Sequence, residues 1–172
     1  MPSFRDLQAQ ARAAEHIGLD SLWVADHVVW PFPNQEEKGC WEAFTFLSGL
    51  AAVTSRIQLG PLVACTSFRN PALLAKMADS LDEISDGRFI LGLGAGWSEL
   101  EYRAFGYPFD HLASRFEEAL QIIVPRLAPG TGRLRGEVVS GVRGSAAPAW
   151  SLALRPAGAT GKTYSASAFS TY

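Results

Sequence analysis

The chain has 172 residues, of which 48% are hydrophobic and 19% charged, and its formal net charge is -2. This length predicts one domain with a sizeable core, and the small net charge argues against nucleic acid or an anionic membrane surface as a partner. No apolar run reaches the ~18 residues of a membrane span, and no basic stretch followed by an apolar core indicates a signal peptide. The two cysteines, Cys40 and Cys65, are far apart, so we expect a cytoplasmic protein without a structural metal.

The composition changes near Pro129. Residues 1–128 contain 16 acidic and 10 basic side chains, whereas residues 129–172 contain one acidic residue, Glu137, and five basic ones. The second segment is also rich in Gly, Ala, Ser and Pro. We therefore predict a folded domain over residues 1–128 and an atypical tail over residues 129–172, for which poor order is one expectation.

Helix and strand patterns alternate along the first segment. Asn70 followed by Pro71 is a typical helix start, and Asp110 is the predicted cap of the last helix. Helices are predicted over residues 4–17, 41–54, 71–84 and 111–127, with a short one after Ser98. Strands are predicted to begin near residues 22, 57 and 89, with weaker candidates at 138–139 and 150–154. Spacings of 32–35 residues between the first three strands are typical of a (β/α) barrel or a doubly wound parallel sheet.

Residues 88–97, RFILGLGAGW, form the most informative stretch. The apolar run predicts a strand buried on both faces, and parallel α/β folds place their sites at the carboxyl ends of such strands. Gly92, Gly94 and Gly96 do not match the dinucleotide-binding pattern GxGxxG, because Trp97 stands where its third glycine belongs. The glycines either let a ligand approach the backbone or simply permit close packing.

Polar residues follow the two other strands. His27 is a candidate general acid or base, and Asp26 could orient it or cap the next element. The alternative is a loop histidine that is hydrogen-bonded to the backbone. Thr66 could donate to a ligand carbonyl, whereas Cys65 is more simply explained by packing.

A segment near the end of the chain, residues 158–163, is similar to a phosphate-binding loop. The pattern GxxxxGK[ST] requires glycine at position 156, where this chain has Pro156. The sequence therefore argues against a nucleoside triphosphate site.

Three phrases, SLWVADH, TSRIQLGPLVACTSFRNPALLAKMADSLDEISDGR and FILGLGAGWSELEYRAFGYPF, together resemble the luciferase-like monooxygenase family over about residues 4–127. The nearest resemblance is to the branch that uses coenzyme F-420, an 8-hydroxy-5-deazaflavin. It implies an α/β fold, a partial TIM (β/α)8 barrel with about three to five parallel strands and outer helices. It also implies hydride transfer between the deazaflavin and a small organic substrate. An FMN-dependent monooxygenase and an inactive partial barrel or structural subunit are the alternatives.

The resemblance also implies where the site lies. His27 would take part in proton transfer with Asp26 beside it, and a bulge with a non-proline cis peptide at Leu62-Val63 would back the cofactor ring. Some family members have a catalytic Glu at the position of Trp97, which leaves the proton donor and the substrate open. The cofactor-binding residues predicted from the resemblance and the strand ends are Leu62, Val63, Cys65, Thr66, Gly94, Ala95, Gly96 and Trp97.

The resemblance finally implies that part of the barrel is missing. The family's first strand precedes the first helix, and its last strands have no counterpart here. Open strand edges and uncovered aliphatic side chains would then cost stability. Either the tail covers the open side, or a second copy in a homodimer does, or the fold is marginally stable. Because the tail has few large apolar residues, we favour the second copy or marginal stability. The activity of this chain is left open.

Overall fold

The computed structural model describes residues 2–30, 38–127, 136–140 and 151–156. Its helices are α1 (Phe4–His16), α2 (Ala43–Val53), α3 (Pro71–Ile84), α4 (Glu99–Phe105) and α5 (Leu112–Arg126), with a single 3-10 turn at Thr66–Phe68. Its strands are β1 (Ser21–Val24), β2 (Val29–Trp30), β3 (Lys38–Gly39), β4 (Gln58–Pro61), β5 (Ala64–Cys65), β6 (Leu91–Gly94), β7 (Gly136–Ser140) and β8 (Ser151–Pro156).

Strands β1, β4, β5 and β6 form parallel pairs, as the sequence predicts, whereas the two-residue strands β2 and β3 pair antiparallel. β1 pairs with β4 from Ser21 opposite Gln58 onward, and β5 pairs with β6 through Ala64 opposite Leu93. A parallel bridge between Leu59 and Phe89 places the chain that enters β6 beside β4. Helices connect these strands, so the α/β barrel-type arrangement is confirmed for this part of the chain.

The second predicted strand is interrupted. β4 ends at Pro61 and β5 begins at Ala64, and the peptide bond between Leu62 and Val63 is cis. The cis bond expected at this position from the family resemblance is therefore present. The bulge lies at the carboxyl end of β4, next to the ends of β1 and β6.

The two weak strand candidates coincide with β7 and β8, but their direction differs from that of barrel strands. β8 runs antiparallel to β6, with Ala153 opposite Gly92, and β7 runs antiparallel to β8. Only residues 141–150 separate β7 from β8, which suits a hairpin and is too short for the helical crossover of a parallel pair. β8 therefore occupies the edge of β6. Residues 158–163 lie outside the described residues.

Apolar faces of the helices pack on the strands to form the core. Helix α2 begins at Glu42, whose carboxylate accepts hydrogen bonds from the backbone N–H groups of Phe44 and Thr45. Asn70 caps α3 as predicted. The large apolar side chains that are fully buried are Leu47, Ile57, Leu59, Leu74, Leu81, Phe89, Leu91, Leu93 and Ile123.

One predicted helix cap is wrong. Helix α5 begins after His111, which has a left-handed backbone with φ 50°, and no side chain caps it. Asp110 is instead paired with Arg115, at 2.7 Å. The arginine five residues onward competes for the carboxylate and pulls it away from the helix end.

None of the helices in the described part of the chain is long and apolar enough to cross a membrane.

Candidate active site

The carboxyl ends of β1, β4 and β6 surround a hollow of about 130 Å³. The bulge after β4 and the loop after β6 form its walls, and α4 closes one side. The residues that line it are Asp26, His27, Leu62, Val63, Cys65, Phe68, Gly96, Trp97 and Glu101. Three strand ends that are distant in sequence thus meet at one place, as the parallel arrangement predicts.

His27 is held by a carboxylate that the sequence analysis did not select. Its Nδ1 lies 2.8 Å from Oε2 of Glu101. The other oxygen of Glu101 accepts hydrogen bonds from the backbone N–H groups of Val28, at 2.7 Å, and Val29, at 3.3 Å. Glu101 is only 1% exposed, so this carboxylate is enclosed by its hydrogen-bond donors.

Asp26 does not take the orienting position next to His27 that the sequence suggested. Its two oxygens accept hydrogen bonds from the guanidinium of Arg69, at 2.6 and 2.7 Å, and Oδ2 also accepts from the backbone N–H of Cys65. The bidentate geometry of arginine fits a carboxylate better than a single imidazole N–H does, which explains the difference. Asp26 therefore fixes the start of the chain after the bulge.

Arg69 extends this arrangement to helix α2. Its guanidinium lies 2.6 Å from Glu42 and 4.8 Å above the ring of Phe44. Burial alone lowers the pKa of Arg69, but the hydrogen bonds and charges of Asp26 and Glu42 outweigh it and raise that pKa. Burial alone raises the pKa of Glu42, but its hydrogen bonds with Thr45 and Arg69 lower it to about 2. Arg69 and Glu42 therefore stay charged at neutral pH.

Behind the hollow, Cys65 packs against Tyr102. The Tyr102 hydroxyl donates to the carbonyl of Ala95 at 2.8 Å and lies 3.3 Å from the Cys65 sulfur. Burial raises the pKa of the Cys65 thiol, which therefore stays protonated at neutral pH. A Cβ on Gly96 would lie 2.3 Å from the Tyr102 oxygen and 2.5 Å from that sulfur, so glycine is required there by packing.

The same reason applies to Gly92. A Cβ at this position would lie 2.4 Å from the carbonyl oxygen of Pro61 on the neighbouring strand. The sequence left two interpretations of the glycine run, close packing and the approach of a ligand. The structure supports close packing at Gly92. Gly96 is also closely packed, and it lines the hollow as well.

The remaining wall is apolar. Leu62 and Val63 form the bulge, and Phe68 lies deeper. Trp97 is 69% exposed at the rim, where its ring meets the edge of the His27 ring with 5.7 Å between the centroids. Trp97 thus forms a rim of the hollow and is not part of the core.

Three predicted residues lie behind this wall. The hydroxyl of buried Thr66 donates to the carbonyl of Gly94, at 3.2 Å, so it is used inside the protein. Ala95 is buried and its carbonyl is occupied by Tyr102. The structure therefore brings together Asp26, His27, Leu62, Val63, Cys65, Gly96 and Trp97, and it leaves Thr66, Gly94 and Ala95 outside the lining.

Phe68 and Glu101 line the hollow but are not predicted from the sequence. Helix α4 has seven residues, too few for a periodic pattern to distinguish Glu101 from Glu99. A weak signal existed nonetheless. Glu99 has a partner four residues onward, Arg103, whereas Glu101 has none at that spacing and adjoins the apolar Tyr102.

Comparison with known proteins agrees with this geometry. The family model described as luciferase-like monooxygenase matches residues 1–160, which extends past the composition change near residue 129. The chain is 35% identical over 143 residues to a pyrimidine monooxygenase RutA of Allorhizobium ampelinum, covering 80% of this chain and 39% of that protein. It is 35% identical over 123 residues to an F420-dependent glucose-6-phosphate dehydrogenase of Amycolatopsis mediterranei, covering 69% of this chain and 36% of that protein.

Solved structures share the fold. An F420-dependent secondary alcohol dehydrogenase in complex with an F420-acetone adduct superposes with a TM-score of 0.64 over 84% of this chain, at 23% identity. The oxygenating constituent of 3,6-diketocamphane monooxygenase from Pseudomonas putida, in complex with FMN, superposes with a TM-score of 0.62 over 80% of this chain, also at 23% identity. The chain covers 42% and 36% of these two structures.

The chain therefore spans less than half the length of these relatives. The relatives do not share one cofactor, since two are F420-dependent and one structure contains FMN. What the relatives share is the family, and the family model covers nearly the whole of this chain. The chain belongs to the luciferase-like monooxygenase family.

Proposed function

We propose that this chain forms the cofactor-facing part of an oxidoreductase that transfers a hydride between coenzyme F-420 and a small organic substrate. The observation that carries the proposal is the convergence of His27, the Leu62-Val63 bulge and the Gly96-Trp97 turn around one hollow. The F420-dependent relatives add support, since one of them is 35% identical to this chain.

The residues of the hollow fit a flat, uncharged ring system. Leu62 and Val63 offer an apolar surface, and half of the Leu62 side chain is exposed. Of the two lining carboxylates, Asp26 is paired with Arg69, and Glu101 is enclosed by its hydrogen-bond partners. We therefore assign ring binding to Leu62, Val63, Gly96 and Trp97. Thr66, Gly94 and Ala95 would shape the wall from behind.

The chain's own contribution to the reaction is proton handling and positioning. When bound, a deazaflavin supplies hydride chemistry. His27 stands at the hollow with Glu101 behind it and would hold or accept the proton of the substrate. Asp26 would act through Arg69 and Cys65 by fixing the bulge, as a positioning residue and not as the proton carrier.

A second candidate is an FMN-dependent monooxygenase. Its support is the similarity to RutA over 80% of the chain and the fold shared with an FMN complex. The same apolar wall of Leu62 and Val63 would bind the ring of FMN. The cofactor that binds decides between the two.

A direct titration tests both candidates. The purified chain is titrated with coenzyme F-420 and, separately, with FMN, and binding is followed by the absorbance and fluorescence of each cofactor. We expect saturable binding of coenzyme F-420 at lower concentration than FMN. The reverse order would favour the monooxygenase.

A matched pair of leucine variants locates the binding site. Leu62 is 50% exposed at the hollow and Leu73 is 55% exposed on α3. Leu62→Glu should weaken cofactor binding at least tenfold by placing a charge on the apolar wall, and Leu73→Glu should leave it unchanged. Equal effects of the two variants would contradict the assigned surface.

The third candidate is an inactive partial barrel that serves as a scaffold or a subunit interface, since the chain covers only 36–39% of the two named relatives. Binding of neither cofactor would favour it. Light scattering on the same sample then measures whether the chain is a homodimer, as expected if a second copy covers the open side.

A further inference from the structure

Glu101 contacts three polar groups of the segment that carries His27. One of its oxygens faces Nδ1 of the imidazole, and the other receives the backbone N–H groups of Val28 and Val29. We infer that Glu101 is a positioning residue that keeps the proton of His27 on Nδ1, so that proton exchange with the hollow takes place at Nε2. The value of this arrangement for catalysis rests on the function proposed above, but the tautomer itself does not.

The direction of the hydrogen bonds carries the inference. A backbone N–H can only donate, so the oxygen that faces Val28 and Val29 is an acceptor. An ionised carboxylate accepts at both oxygens and donates at neither. The contact of 2.8 Å between the second oxygen and the ring nitrogen then requires the proton to lie on Nδ1. A neutral imidazole has one N–H, so its Nε2 is an acceptor in this state.

Burial makes the arrangement selective. Glu101 is almost fully enclosed, so water does not compete for its oxygens as it would at the surface. The ring of His27 is also bounded by Trp97, whose ring meets it at an interplanar angle of 77°. One carboxylate on α4 therefore holds both the backbone and the ring of the strand end, 74 residues earlier in the chain.

Nitrogen NMR of the whole chain tests the tautomer directly. The protein is labelled with ¹⁵N-histidine and measured in alkaline solution, where an ordinary imidazole is neutral. His27→Gln identifies the signals of His27, and His16 and His111 serve as internal references. We expect a proton attached to Nδ1 of His27 and none attached to its Nε2.

Glu101→Gln should invert this pattern. The single amide oxygen of the glutamine can still accept the hydrogen bond from the N–H of Val28. The amide NH₂ would then face the ring and donate to Nδ1, so the proton of His27 moves to Nε2. The matched control is Glu99→Gln on the same helix, where an exposed glutamate pairs with Arg103. This control should leave the His27 signals as in the wild type.

Two results would overturn the inference: a wild-type protein with the proton on Nε2, or Glu101→Gln with the proton still on Nδ1. The first is measured on the unaltered chain, so it decides the matter even if Glu101→Gln fails to fold. Failure of both cofactors to bind would reject the proposed function and would leave the tautomer result standing.

Discussion

Glu101, Asp26 and Asp82 are all buried carboxylates, and each has different surroundings. Glu101 accepts from two backbone N–H groups and contacts Nδ1 of His27, and Asp26 has Arg69 and one backbone N–H. Asp82 on α3 is 5% exposed, and within the described residues its Oδ1 has no hydrogen-bond partner. The first two carboxylates are satisfied and lie at the hollow, whereas the third weakens the fold.

Asp82→Asn should stabilise the protein at neutral pH. Burial, with smaller effects of Asp79 and Glu83, raises the pKa of Asp82 from 3.8 to about 6. A raised pKa means that the carboxyl contributes its full stability below about pH 4 and loses it as the pH rises through about 6. Two pKa units correspond to at most about 3 kcal/mol, so we expect a gain of about 1–2 kcal/mol in the free energy of unfolding at pH 7.

Urea unfolding at several pH values checks this prediction. The gain of Asp82→Asn should fall toward zero as the pH drops below the unfolded-state pKa of 3.8, because the wild-type carboxyl then becomes protonated in both states. Glu117→Gln, which removes one exposed carboxylate from α5, is the control and should change stability by less than about 0.5 kcal/mol. A gain that is independent of pH would contradict the argument.

At the scale of elements, side chains tie helix ends to the strands that follow. The guanidinium of Arg88 donates to carbonyls at the end of α2, those of Ala51 and Thr54, and to the carbonyl of Ile57 before β4. The Glu15 carboxylate, near the end of α1, accepts three backbone N–H groups from Ser55 to Ile57. These ties orient each helix on the sheet.

Structural features that depend on residues close in sequence can be predicted, whereas contacts between residues distant in sequence cannot. Asn70 and Pro71 start α3 through contacts within three residues, and the prediction was confirmed. Glu101 and His27 lie 74 residues apart, and no local pattern indicates their contact. The direction of β8 is a further example, because it depends on the free edge of β6 and not on the pattern of its own residues.

Glu15→Gln should weaken the tie between α1 and β4. Backbone hydrogen bonds from Ile57 and Arg56 are the main causes that lower the pKa of Glu15 from 4.5 to about 2. A lowered pKa means that the contribution is present above about pH 4.5 and is lost as the pH falls toward 2. Because Glu15 is partly exposed, we expect a loss of only about 1 kcal/mol at pH 7.

Thermal unfolding of Glu15→Gln at pH 7 and pH 3 measures this difference. The difference should be smaller at pH 3 than at pH 7, and it should close only as the pH falls toward 2, where the wild-type carboxylate becomes protonated in the folded protein. Glu118→Gln on the exposed side of α5 should match the wild type at both pH values. A variant as stable as the wild type at pH 7 would show that the three N–H groups find other acceptors.

For the whole molecule, the stability of a partial barrel depends on how its open strand edges are covered. The chain covers less than half of its relatives, and an open strand edge of a partial sheet is a hazard for aggregation. In the structure β8 lies between β6 and β7, so the segment after residue 129 contributes a strand to the same sheet as the site. The sheet that carries Gly94 therefore includes two strands of the tail.

Ala153→Pro tests whether β8 stabilises β6, because it removes one backbone N–H from β8. Because Ala153 has a paired residue on each side, Gly92 in β6 and Val139 in β7, its N–H faces a partner strand, and proline removes that donor. We expect a loss of about 1–3 kcal/mol from the missing hydrogen bond, and faster hydrogen exchange of the β6 amides. Ala153→Gly keeps the N–H and is the matched control, with an expected loss of at most about 1 kcal/mol. If the two variants have equal stability and β6 is equally protected in both, the tail does not stabilise the sheet, and residues 1–128 fold as the separate domain that the composition indicates.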